Sequence, residues 1–78
     1  MGGENINIIK KLRLEKGITQ AALADAVGVT QGAVVQWEKG VAFPNAAKIL
    51  KVASILSCEP EVLIQEAERR EKLRQKAG

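Results

Sequence analysis

The chain has 78 residues, 46% of them hydrophobic, with a net charge of +3, one cysteine, no histidine, and only Trp37 and Phe43 as aromatics. A chain of this length makes one small domain that buries roughly 60% of its unfolded surface, and a nearly all-aliphatic composition suits a helical bundle better than a β-sandwich. One cysteine and no histidine exclude a zinc set, and there is no phosphate-cradling loop, so neither a metal, a cofactor nor an enzymatic site is expected.

No apolar run approaches the ~18 residues that span a bilayer. The first residues hold no apolar stretch of the kind a secretory leader uses. The expected location is therefore the cytoplasm, with no membrane partner. Met1 to Glu4, with Gly2-Gly3, are expected to be disordered. A first helix is predicted over residues 5–16, where Ile6, Ile8, Ile9 and Leu12 recur at helical spacing. Lys10, Lys11, Arg13 and Lys16 take much of its remaining surface. Gly17 ends it, and Ile18 turns the chain back toward the core.

Thr19 and Thr30 stand where helix N-caps belong. The second helix, over 20–27, buries Leu23, Ala24 and Val27, and Gly28 allows the reversal that follows. The third helix spans 31–38. Val34 and Trp37 face inward, with Val35 competing for the same side, and Leu23, Val29, Val34 and Trp37 close the corner. Ala24 is small enough for the two helices to approach closely. Gly32, in the first turn of the third helix, costs roughly 1 kcal/mol of helix propensity; either a close approach requires it or the site tolerates it. This is the pattern of a helix-turn-helix, whose second helix is offered to the DNA major groove.

A loop from Gly40 to Pro44 leads to a fourth helix over 45–56, capped by Asn45. Its apolar face comprises Ile49, Leu50, Val52, Ala53 and Leu56, with Lys48 and Lys51 outside. Cys58 is read as a buried small hydrophobe. Pro60 opens a fifth helix, expected to bury Val62, Leu63, Ile64 and Ala67. Beyond that the chain is dense in charge, with Glu66/Arg70 and Glu68/Lys72 at supportive spacing. The expected division is a DNA-binding domain over 5–67 and a charged helical C-terminal extension over 68–78. Residues 1–58 hold seven Lys/Arg against four Asp/Glu, hence +3, whereas 59–78 hold five of each. The positive field belongs to the part with the helix-turn-helix, which favours an anionic partner.

Gln20-x3-Ala24-x3-Gly28-x5-Val34, then Gln36-Trp37-Glu38-Lys39-Gly40 and Pro44-Asn45, resembles the λ-repressor-like helix-turn-helix family of phage repressors, Cro proteins and xenobiotic-response-element-type regulators. The resemblance covers residues 6–65 and implies an all-α, compact five-helix DNA-binding domain that acts as a dimer. Some Cro proteins replace the last two helices with strands, but the helical period of 46–56 favours the all-helical form. Carried over by position, the residues facing bases are Gln31, Gly32, Val35 and Gln36. A glutamine amide matches the N6/N7 edge of adenine, and valine a thymine methyl. Gly32 departs from the relatives, which often carry Gln or Val there. Thr19, Gln20, Lys39, Asn45 and Lys10 are the implied phosphate contacts, Gln20 and Asn45 through helix N-termini. Arg13 and Glu38 match a structural ion pair joining the first helix to the end of the third, and Trp37 is core.

The function implied is a sequence-specific double-stranded DNA-binding transcription regulator, a phage repressor or Cro-like protein. It would act as a homodimer on a palindromic operator, with half-sites roughly 34 Å apart and no small-molecule ligand. With no second domain, the chain reads as Cro-like or as an excised DNA-binding domain. Ser57, Cys58, Glu59 and part of 62–73 are the candidate dimer surface. The alternative is an antitoxin-type regulator that also grips a protein partner through its C-terminal helix; recovery of a specific partner would separate the two.

Overall fold

Each of the first four helices begins where a short polar side chain takes over an orphaned backbone N–H. In the computed structural model, which describes the backbone of residues 7–77 and the side chains of residues 7–68, these are α1 (Ile8–Lys16), α2 (Gln20–Val27), α3 (Gln31–Lys39) and α4 (Ala46–Leu56), followed by α5 (Pro60–Ala77). Thr19 Oγ1 accepts from the Ala22 N–H at 3.0 Å, Thr30 Oγ1 from Ala33 at 3.2 Å, and Asn45 Oδ1 from Lys48 at 2.9 Å.

Asn7 does the same for α1: its Oδ1 accepts from the Ile9 N–H at 2.8 Å and from Lys10 at 3.3 Å. Its backbone is extended, at ψ 141°. The helix therefore starts at Ile8 and not at the earlier position that the apolar period suggested, because a side chain bonded to the backbone competes with the helical ladder. Asn5, Ile6 and the segment expected to be disordered, Met1 to Glu4, lie outside the described residues. Among the described residues there is no strand.

The first four helices stop on left-handed residues. Gly28 has φ +89°, and the N–H groups of Gly28 and Val29 both reach the Ala24 carbonyl, at 2.8 and 2.9 Å, which makes the tight turn of the motif. At the end of α4 the same conformation falls on Ser57, at φ +58°.

Ile9, Leu23, Ala24, Val27, Val34, Trp37, Ile49, Val52, Ala53, Leu56 and Leu63 form one core. α2 packs on α3 and α4, α4 on α5, and α1 closes over α3, α4 and α5. Of the competing valines, Val34 is fully buried and Val35 half-buried. Three apolar residues expected inside are not: Leu50 is 60% exposed, Val62 38% and Ile64 41%. In α4 the core side is taken by Ile49, Val52, Ala53 and Leu56, a complete i, i+3, i+4, i+7 stripe, which leaves Leu50 off it. Among the described side chains of α5 only Leu63 is fully buried, with Ala67 half-buried. Cys58 is half-buried against the core and not enclosed; burial, with the Glu59 carboxylate beside it, pushes its thiol above the ordinary range, away from thiolate chemistry.

α5 continues without interruption across the expected boundary at 67/68. The side chains of Arg70 and Lys72, partners in the expected i,i+4 pairs, lie outside the described residues. No helix in the described residues is long and apolar enough to cross a membrane.

Candidate nucleic-acid interface

α3 has two faces of opposite character. Val34 and Trp37 are buried on one. Gln31, Gly32, Gln36 and Lys39 are exposed on the other, with Val35 half-buried between them. Positions 31, 32, 35, 36 and 39 follow helical spacing, so they make one continuous outward strip. Gly32 needs no special backbone: a Cβ placed there meets only Thr30 Oγ1, at 3.8 Å, an ordinary contact. The fold therefore has no use for its missing side chain.

The strip is anchored at both ends. At its C-terminal end, Glu38 receives Arg13 from α1, with Arg13 Nε 2.6 Å from Glu38 Oε2 and Nη2 3.3 Å from Oε1. The side chains are 9% and 5% exposed. Arg13 Nη1 also donates to the Ile18 carbonyl at 2.8 Å, so the guanidinium ties the α1–α2 turn to α3 as well. A buried pair is tolerable only when both partners are satisfied in this way. Asn7 adds a second tie, donating Nδ2 to the Trp37 carbonyl at 2.9 Å. Neither the capping role of Asn7 nor this link was foreseen, although an Asn just before an apolar periodic run is a recognised N-cap signal.

At its N-terminal end, the strip meets α2. Gln20 donates Nε2 to Glu38 Oε1 at 3.0 Å, and its Oε1 accepts from Gln31 Nε2 at 3.4 Å. The structure thus gathers Arg13, Glu38, Gln20 and Gln31 into one connected set. Because the Gln20 side chain is occupied internally, an anion at the start of α2 would meet the backbone N–H groups of its first turn. Thr19, also at that terminus, is exposed. Asn45 is exposed at the start of α4, Lys39 in the last turn of α3, and Lys10 on α1. Among the described residues no group of His, Cys, Asp and Glu could hold a metal ion.

The sequence pattern of a helix-turn-helix family matches residues 9–63. Repressor protein C2 of Salmonella phage P22 is 37% identical over 57 residues, 73% of this chain and 26% of that protein. The chain thus spans about a quarter of the length of that relative. Among solved structures, the P22 c2 repressor in complex with a synthetic operator superposes with a TM-score of 0.68 at 38% identity, covering 70% of this chain and 83% of that one. The DNA-binding domain of the same repressor, determined in solution by nuclear magnetic resonance, gives 0.68 and 38% over 72% of this chain and 74% of that one.

Proposed function

This chain belongs to the λ-repressor-like helix-turn-helix family, which is not a family of enzymes, and on that premise we propose that it is a sequence-specific double-stranded DNA-binding regulator of transcription. The observation that carries this reading is the outward strip of α3, uncharged and amide-bearing at its centre, on a fold that superposes on an operator-bound repressor. Gln31 and Gln36 read base edges, Val35 touches a thymine methyl, and Gly32 lets the helix backbone approach. Thr19, the first turn of α2 at Gln20, Lys39, Asn45 and Lys10 contact phosphates and set register. Residues 5–67 are the DNA-binding unit and 68–78 its C-terminal extension. The protein works in the cytoplasm, where its DNA is.

One short recognition helix supplies few base contacts, so the protein acts as a homodimer on a palindromic operator, as phage repressors and Cro proteins do. The support is on α4 and α5, where Leu50, Val62 and Ile64 stay exposed. Each forgoes part of the ~1.5–3 kcal/mol that full burial of such a side chain contributes, and a second copy would recover it. Selection of bound sites from random duplex DNA tests the reading. The expected product is a palindromic motif with half-sites one turn, roughly 34 Å, apart; no enriched motif would count against regulation by sequence.

A further inference from the structure

Val41 is the most exposed large apolar side chain among the described residues, at 67%. The backbone around it is well tied. At the left-handed Gly40 the chain folds back over the last turn of α3: the Gly40 N–H donates to the Gln36 and Trp37 carbonyls, and the N–H groups of Val41 and Ala42 donate to Gln36 at 3.0 and 3.3 Å. On the other side, Phe43 packs against the core and Pro44 is buried. Val41 is therefore held from both directions with its methyl groups outside.

A helix end of this kind commonly sets the side chain just past the glycine against those five and six positions back, and an apolar contact there helps close the helix. Here those positions are Gln36 and Val35, both on the outward strip of α3, and Val41 stays mostly exposed beside them. The strip thus gains an apolar member at its C-terminal end. The N–H groups of Gly40, Val41 and Ala42 are spent on carbonyls, so this turn offers none of them to a phosphate. Residues 40–47 hold no charged side chain, although Lys39 and Lys48 bracket them. What the turn presents to DNA is a pair of methyl groups, and the base-specific apolar partner in the major groove is the thymine C5-methyl.

We propose that Val41 is a specificity-determining residue that reads a thymine methyl next to the base pair met by Gln36. The inference rests on the proposed DNA recognition by α3. 5-Methylcytosine carries its methyl at the same ring position, so at this one place the chain distinguishes methylated from plain cytosine.

Uracil, which differs from thymine only by lacking that methyl, supplies the test. A site is selected from random duplexes by the wild-type chain, and each thymine of one half-site is then replaced in turn by uracil. Affinities are measured for the wild type and Val41→Ala, which should keep its Tm because the side chain is exposed. One thymine methyl should be worth about fourfold to the wild type, the value of one buried methyl-sized group, and nothing to Val41→Ala. Cytosine at that position should bind about fourfold more tightly when 5-methylated, again only with Val41 present. A uracil effect that survives Val41→Ala at every thymine, or is absent at all of them, overturns the inference. So does a Val41→Ala loss equal on thymine and uracil sites, which would assign the side chain to a contact with deoxyribose or with a second copy. A wild-type chain that selects no motif overturns the proposed function itself.

Discussion

Arg13 on α1 and Glu38 in the last turn of α3 are 25 residues apart and meet with Nε 2.6 Å from Oε2, almost out of reach of water. Removing either partner strands a buried charge, which costs about 3–5 kcal/mol, whereas replacing both with apolar residues of similar volume is often close to neutral. Arg13→Met and Glu38→Leu should each lower urea-unfolding stability by that amount, and the double variant should recover most of it. A double variant as unstable as the sum of the singles would show that the two side chains are not energetically coupled, which contradicts the pairing.

Gly32 is a weakness in α3 that the fold does not require, since nothing crowds a Cβ there. Gly32→Ala should stabilise the free protein by about 0.5–1 kcal/mol, raising Tm by about 2–8 °C in a domain this small. If α3 approaches DNA at this position, the same substitution weakens operator binding although the protein is more stable. A lower Tm in thermal unfolding would contradict the geometry.

Asn7 caps α1 and donates to the Trp37 carbonyl across to α3. A lost cap costs about 1 kcal/mol and a lost hydrogen bond between helices about the same. Asn7→Ala should therefore cost about 2 kcal/mol in chemical denaturation. A cost near zero would mean that water replaces both contacts without loss.

Gln36 and Lys39 lie on the same exposed strip and should behave in opposite ways. Gln36→Ala should relax preference at one base pair, with little change in the dependence of affinity on salt. Lys39→Ala should weaken binding to all sequences alike and reduce the salt slope by about one. Fluorescence titrations at several salt concentrations distinguish them, and exchanged behaviours would exchange the roles.

The corner of the motif was legible in the sequence because its signals are local. Thr19, Thr30 and Asn45 cap within three residues of themselves, Gly28 marks the turn, and Leu23, Ala24, Val27, Val34 and Trp37 follow helical spacing. The exposure of Leu50, Val62 and Ile64 was not legible. Apolarity says that a side chain gains by burial but not which face another helix covers, and the core side of α4 was already complete without Leu50. Within the site, the outward strip of α3 follows from periodicity, whereas the bond from Gln20 to Glu38 joins residues 18 apart and has no local signature. Its presence depends on how α2 and α3 pack, which only the folded chain displays.

The central claim is that the outward strip of α3 discriminates DNA sequence. Its most direct test is a competition titration of the wild-type chain, at about 0.15 M salt, between its selected site and a scrambled duplex of the same length and composition. The expected preference for the selected site is at least about a thousandfold, as specific regulators show over non-specific DNA. Equal affinity for the two duplexes would contradict it.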